Sequence, residues 1–286
     1  MVTRIGVSGW AYDGWRGDFY PRELPRKDEL SFISSHFDTV EVNGTFHSLL
    51  QPPTFREWGE RTPTSFLFSI KGSRFITHNK KLANLGSALA NFLASGVLDL
   101  GERLGPILWQ VSENLHFDEE RIDRFLGGLP KDTTSAAELA RHHDERVEEV
   151  SYGPGENHRL RHVLELRHES WLREETALIA KRHGVTLAFS HSSEWPYFEQ
   201  ITAGFVYVRL HGPGRLYSSP YGRDQLRTWA ERIQLWGDAD EPADASRFAD
   251  VEPPQRKGRD VYVYFDNDEG GHAPRDAKVL HEMVRG

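Results

Sequence analysis

The stretch Phe205-Val206-Tyr207-Val208-Arg209-Leu210-His211 decides how this chain is read. Side chains alternate along a strand, so Val206, Val208 and Leu210 share one face and Tyr207, Arg209 and His211 share the other. Bounded by Gly204 and Gly212 and rich in Val, the run predicts a strand covered on both sides, as in a parallel sheet. An arginine and a histidine inside such a strand are costly to bury unless paired. Their partners must come from elsewhere in the chain.

Seven further runs read the same way: Ile5–Trp10, Thr39–Phe46, Phe66–Lys71, Pro106–Val111, His162–His168, Thr186–Ser190 and Asp260–Asp268. Most carry a polar residue near the end, among them Glu41, Asn43, Lys71, Gln110, Glu165, Arg167 and Asp266. Segments with helical spacing lie between them, over Asp28–Phe37, Pro53–Arg61 (capped by Thr54), Leu82–Leu100, Asp118–Leu129, Arg173–His183, Glu194–Thr202, Asp224–Leu235 and Pro274–Val284. Strand followed by helix eight times is the pattern of a TIM-type (β/α)8 barrel, an α/β fold. A doubly wound open sheet is the rival. A length of 286 residues, near the ~250 typical of such barrels, favours closure and a single domain over 1–286. Two polar insertions are expected: 131–161, with helical character over Ala136–Val147, and 237–259, a mobile surface excursion.

Hydrophobic residues make up 38% and charged residues 27%, enough apolar material for a core, and no run approaches the roughly 20 residues needed to cross a bilayer. No secretory signal is visible and there is no cysteine, which excludes disulfides and thiolate chemistry and makes a cytoplasmic location the default expectation. The net charge of −8 argues against a surface coated for bulk nucleic-acid binding.

If the polar residues of successive strands face the barrel axis, Glu41, Glu165, Arg167, Arg209, His211 and Lys71 enter one volume. Charged groups in a water-poor pocket shift one another's protonation, and such sites are often functional. A buried ion network that fixes strand register is the structural alternative. Glycines follow the seventh and eighth runs at Gly212 and Gly271, where barrel enzymes often bind phosphate. The loop after the first run holds five aromatics; Phe19 and Tyr20 are expected to pack, while Trp10 and Trp15 remain open for stacking on a ligand. Glu41, Glu165, His211 and Asp266 offer donors for a divalent metal, and topology brings His78, His168 and His191 nearby. However, no metal-binding spacing occurs and the cationic neighbours favour an anion. No cofactor is required by any motif, and no nucleophile elbow, Walker or dinucleotide fingerprint is present.

Dispersed motifs carry a further likeness: Gly9-Trp10, Trp15-Arg16-Gly17, Phe19-Tyr20-Pro21, Val40-Glu41-Val42-Asn43, Phe68-Ser69-Ile70-Lys71, Thr77-His78, Leu104-Gly105-Pro106, Glu165-Leu166-Arg167-His168, Ser170-Trp171, Tyr207 through Gly212, and Gly271-His272-Ala273. In these the chain resembles the YecE-like family, also called domain of unknown function 72, over nearly its whole length. The resemblance implies a TIM-type barrel and no established reaction. The chain departs from the family where Val111-Ser112-Glu113-Asn114 replaces a usual Pro pair and where Asp266 stands in place of a commoner Asn.

The functional expectation is an enzyme acting on a small anionic, phosphorylated or sugar-like substrate, by isomerase-, lyase- or phosphoesterase-type chemistry. Arg167, Arg209 and Lys71 would hold the anion, with Trp10, Asn43, Gln110, Tyr207, Gly212 and Gly271 as further ligand contacts. Glu165 or Glu41 would act as base, and His211 as proton donor or acceptor. Two alternatives stand beside it: a nucleic-acid-binding or phosphodiester-cleaving protein like the apurinic endonucleases in fold, and a non-catalytic ligand-binding barrel. The sequence does not fix an oligomeric state.

Overall fold

The computed structural model describes residues 1–286. Its strands are β1 (Thr3–Ser8), β2 (Thr39–Val42), β3 (Leu67–Lys71), β4 (Leu104–Gln110), β5 (His162–Glu165), β6 (Thr186–Leu187), β7 (Phe189–His191), β8 (Phe205–Leu210) and β9 (Asp260–Phe265). All pair in parallel, in the order β6-β5-β4-β3-β2-β1-β9-β8-β7. Strands β6 and β7 are one expected strand broken at Ala188. Thr186–Leu187 pair with Val163–Leu164 of β5, whereas Phe189–His191 pair with Val208–Leu210 of β8. The Ala188 N–H still reaches the Leu164 carbonyl at 2.9 Å, so the sheet closes through this split position into a TIM-type barrel of eight strand positions.

The surrounding helices are α1 (Glu29–His36), α2 (Gly44–His47), α3 (Pro52–Glu60), α4 (Ala88–Ala94), α5 (Glu119–Gly127), α6 (Thr133–Ala140), α7 (Glu174–His183), α8 (Arg223–Gly237) and α9 (His272–Arg285). On α8, Leu226, Trp229, Ile233 and Trp236 repeat at helical spacing and are buried in the core that also holds Val206, Val208 and Leu210. Burying side chains of this size is worth roughly 1.5–3 kcal/mol each. The inward faces form a second, smaller core from Leu108, Val163, Ala188, Ala203, Phe205, Tyr207, Tyr262 and Tyr264. Gly6 sits on the inner face of β1, where an added Cβ would overlap the Thr39 carbonyl. No helix is long and apolar enough to cross a membrane.

Several expectations are corrected. The long helix over Leu82–Leu100 is reduced to α4. Leu82, Asn84 and Gly86 adopt positive φ before it, Gly96 (φ 110°) ends it, and a 3-10 segment over Val97–Arg103 follows. Glu194–Thr202 contains Pro196 and forms no helix. Helix α3 begins at Pro52 with Gln51 as its cap, so Thr54 lies inside it. The second strand ends at Val42, and Gly44–His47 turns into α2. Within 131–161, α6 starts at a capping box on Asp132 and buries Ala136 and Ala140. The 237–259 segment is irregular but tied down: Val251 is buried, Phe248 packs edge-on to Phe198 (5.1 Å), and the Ser246 carbonyl accepts from the Glu199 N–H.

Candidate functional site at the C-terminal mouth of the barrel

The strands end in polar residues that meet at one end of the barrel. Arg209, fully buried at the inner face of β8, is their hub. Its Nε donates to Glu41 Oε2 (3.0 Å), Nη2 to Glu41 Oε1 (2.6 Å) and Asp266 Oδ2 (2.9 Å), and Nη1 to Glu165 Oε1 (3.0 Å), with His211 Nε2 at 3.2 Å. The remaining carboxylate positions are also occupied. Glu41 accepts from Ser8 Oγ (2.5 Å) and Tyr207 Oη (2.6 Å). Glu165 accepts from Ser190 Oγ (2.7 Å), Gln110 Nε2 (2.7 Å) and Arg167 Nη2 (3.2 Å). Buried charges persist when they are paired and hydrogen-bonded in this way.

The protonation states follow from these contacts. Burial opposes the charge on Glu165, but Arg167 and Arg209 outweigh it and hold its carboxyl well below the usual range. Burial likewise opposes ionisation of Asp266, yet Arg209 and His211 keep it below the usual carboxylate value. Two residues on, Asp268 is pushed well above that value by burial and by the charge of Asp266. Adjacent carboxyl groups with such opposed preferences can act as proton acceptor and proton donor. Lys71 is lowered to about 8 by burial and by Arg209, against Glu41, Asp266 and Glu165. Burial, Arg74, Lys71 and Arg167 lower His78 to about 4, so it is neutral at pH 7.

A cavity of about 500 Å³ opens beside this network, lined by Arg74, His78, Lys81, Gln110, Glu113 and Arg167 among others. The Arg167 guanidinium stacks 3.4 Å from the Trp195 ring centroid. Trp195 in turn donates to Ser190 Oγ (2.8 Å) and stands edge-on to His211 at 5.0 Å, with Tyr217 covering His211 from another side at 5.6 Å. Four buried polar atoms at the mouth have no partner: Asn43 Oδ1, Arg167 Nε, His211 Nδ1 and Asp268 Oδ1. His211 Nδ1 lies 3.0 Å from Asp266 Oδ2 but out of hydrogen-bonding alignment.

Glu41, Asn43, Lys71, Gln110, Glu165, Arg167, Arg209, His211 and Asp266 therefore come together as the alternation predicts. Their accessibility differs from expectation. Arg209 has every N–H engaged by protein and none left for a bound anion. Tyr207 is sealed beneath it, with Oη between Glu41 and Ser69 Oγ (2.7 Å). The Gly212 N–H is used by Tyr221 Oη at 3.2 Å. The α9 N-terminus at Gly271 faces Asp18, whose Oδ2 would lie 2.9 Å from an added Cβ, and Asp18 pairs with Arg275. A protein carboxylate thus occupies the expected phosphate loop. Trp10 packs edge-on against Trp58 at 5.3 Å, and Trp15 joins Phe19 and Tyr20 in the core region. The metal reading fails on the same geometry, because the Arg209 guanidinium lies between the carboxylates a cation would need. Of the three histidines, His78 borders the cavity, His191 bonds Tyr221 (2.8 Å), and His168 turns outward to Ser170 (2.9 Å) and His116.

The sequence reading missed Arg74 and Lys81, which lie in a loop whose π-helical turn (Phe75–Asn79) has no periodic signature, together with Trp195, Tyr217 and Asp268. Ser8 and Ser190 were legible as polar residues closing inward-facing strand positions.

The family model described as "Protein of unknown function DUF72" matches residues 4–286. The chain belongs to that family. The UPF0759 protein YunF of Bacillus subtilis (strain 168) is 23% identical over 302 residues, covering 98% of this DUF72 chain and 94% of the relative. Among solved structures, a DUF72 family protein of Thermotoga maritima superposes with a TM-score of 0.74 at 22% identity over all of both chains. Another, from Enterococcus faecalis V583, gives 0.71 at 15% identity, covering 100% of this chain and 96% of the other. At these identities the likeness establishes the barrel fold, in agreement with the YecE-like resemblance read from the motifs.

Proposed function

We propose that this DUF72 protein is an enzyme acting on a small anionic, sugar-like or phosphorylated substrate held in the mouth cavity. The observation that carries the reading is a cavity walled by Arg74, Lys81 and Arg167, with the Arg167 Nε unpartnered in its wall and further unpartnered polar atoms on Asn43 and Asp268 at the same end of the barrel. Buried polar atoms are normally satisfied, so an unsatisfied guanidinium nitrogen in a cavity wall marks where a polar ligand completes the set. Arg167, pre-oriented by Glu165 and Trp195, offers its free Nε to an anion, and Arg74 and Lys81 add charge from the rim. Asp266 serves as proton acceptor and the neutral Asp268 as donor, while Arg209, Glu41, Glu165 and His211 hold these groups in place.

A cavity of about 500 Å³ matches a small molecule better than a nucleic-acid strand, and the first-loop aromatics that would stack on bases are packed inside. The test is a thermal-shift screen of sugar phosphates and inorganic phosphate against the wild type and an Arg74→Gln/Lys81→Gln variant, followed by turnover assays on each ligand found. A ligand at 100 times its Kd stabilises by about 2.7 kcal/mol, a shift of a few degrees. The double variant should need several-fold more ligand for the same shift. Absence of any phosphorylated ligand, together with salt-sensitive DNA or RNA binding, would transfer the reading to nucleic acid. Binding without turnover would leave a ligand-binding barrel.

A further inference from the structure

We infer that Lys71 is a carbonyl-reactive amine, and that the substrate of the mouth cavity is an aldehyde or ketone with which it forms an imine; this rests on the anionic-substrate reading above. Lys71 closes β3 two residues beyond Ser69, the register partner of Glu41, and is the buried lysine among the eight in the chain. Its Nζ lies 4.4 Å from the Phe46 ring centroid. Buried lysines ordinarily keep their charge through a carboxylate partner. Here Glu41, Glu165 and Asp266 are all bonded to Arg209, and Nζ has neither a carboxylate within 4.0 Å nor a hydrogen-bond acceptor. Nor is it among the enclosed unpartnered atoms, so it keeps some exposure at this end of the barrel, where the following residues Arg74 and His78 line the cavity.

The other lysines are placed differently. Lys131 donates to the Leu126 and His183 carbonyls and Lys181 to the Glu252 carbonyl, while Lys27, Lys81, Lys257 and Lys278 are exposed and Lys80 lies over Phe75. The charged and titratable groups around Lys71 are Arg209 from β8, Glu41 from β2, Glu165 from β5, Asp266 after β9 and His78 from the following loop. Burial and the Arg209 charge lower the ammonium to about 8, which leaves about a tenth of the amine neutral at pH 7 and about half at pH 8. An uncharged, desolvated, unpartnered amine is what imine formation requires, whereas an anion clamp would carry a fixed charge.

The step balances without an oxidant or reductant. The Nζ lone pair forms the C–N bond as the carbonyl π pair moves to oxygen. That oxygen takes the Asp268 proton, and the nitrogen passes a proton to Asp266. Asp266 then returns this proton to the carbinolamine hydroxyl, which leaves as water while the nitrogen lone pair completes C=N. Amine, carbonyl and one carboxyl proton become an iminium ion, water and a carboxylate.

The test uses pyridoxal 5′-phosphate, an aldehyde bearing a phosphate, with borohydride reduction of the intact protein and peptide mapping by mass spectrometry. Lys71 should be modified at least ten-fold faster than any other lysine, with the rate rising to half its maximum near pH 8. Lys71→Met and the charge-preserving Lys71→Arg should both lose this label. Phosphate-free pyridoxal should label Lys71 at least ten-fold more slowly. Labelling spread over the surface lysines, or a protein whose melting temperature rises with pyridoxal 5′-phosphate while Lys71 stays unmodified, would overturn the imine and leave the anion site standing. Equal labelling of Lys71 by both aldehydes would keep the imine and remove the anion site.

Discussion

Replacing Arg209 with Met should convert a barrel that is most stable near neutral pH into one that is most stable in mild acid. In the wild type, Glu165 and Asp266 are held below ordinary carboxylate values. The native state therefore binds fewer protons than the unfolded chain through the acid range. Their contribution is complete above about pH 5 and lost as the pH falls. Removing the guanidinium leaves Glu165 with Arg167 at 3.2 Å, but strips Glu41 of its counter-charge and leaves Asp266 with His211 alone at 3.0 Å inside the barrel. Breaking a buried pair in this way costs about 3–5 kcal/mol, against a total domain stability of about 5–15 kcal/mol. With its largest opposing charge gone, burial raises the Asp266 carboxyl, so the native variant binds more protons than the unfolded chain and loses stability as the pH rises. Urea unfolding followed by fluorescence of the eight tryptophans at pH 5, 6.5 and 8 reads both effects. With a slope of about 3 kcal/mol per molar, the midpoint at pH 8 should fall by roughly 1–1.7 M and recover partly at pH 5. A variant whose midpoint still rises from pH 5 to pH 8, or which loses less than about 1 kcal/mol, would refute the hub.

Other outcomes follow from the same geometry. Asp268→Asn should leave stability unchanged near pH 3 and raise it increasingly from about pH 4 upward, because the unfolded carboxyl ionises there while the native one, its pKa elevated, stays protonated; chemical denaturation at pH 3, 5 and 8 reads this. The same variant should abolish turnover of any substrate found. His162 accepts from Trp109 Nε1 (3.2 Å) and lies 2.7 Å from the Pro130 carbonyl, and burial lowers it to about 4. Its NMR titration should show a neutral ring down to that pH, and its share of stability, at most roughly 3 kcal/mol, should be lost as the pH falls from about 6.5. Tyr207→Phe removes the hydroxyl bridging Ser69 and Glu41 and should cost about 1.5–3 kcal/mol in unfolding experiments. Gly6→Ala places a methyl group against the Thr39 carbonyl and should prevent accumulation of folded protein, as read by circular dichroism of the soluble fraction.

Strand positions and the polar ends of the runs were legible because period-two alternation and buried-strand composition are local signals. Glu41, Glu165 and Arg209 were placed together on that basis alone. Which guanidinium would be consumed and which left available was not legible: Arg167 and Arg209 look alike in sequence, and only the barrel's closure puts one beneath the other. The helix expected over Leu82–Leu100 failed because Gly86 and Gly96 interrupt a run whose apolar spacing remains helical across the break. The glycines at 212 and 271 gave a correct turn signal but a misleading ligand signal, since Tyr221 and Asp18 occupy the space an anion would take. Arg74 and Lys81 belong to a left-handed and π-turned loop, which has no periodicity to read.

The Arg209 hub also bears on how the chain is made. Its partners lie 201, 168 and 44 residues earlier, at Ser8, Glu41 and Glu165, and 57 residues later, at Asp266. During synthesis from the N-terminus, Glu165 is followed at once by Arg167, but Glu41 emerges without its guanidinium partner until residue 209 leaves the ribosome. Asp266 waits until nearly the whole polypeptide is out. The pocket therefore comes into being only in the event that closes the ring of strands, when Arg209 and Asp266 join Glu41 and Glu165.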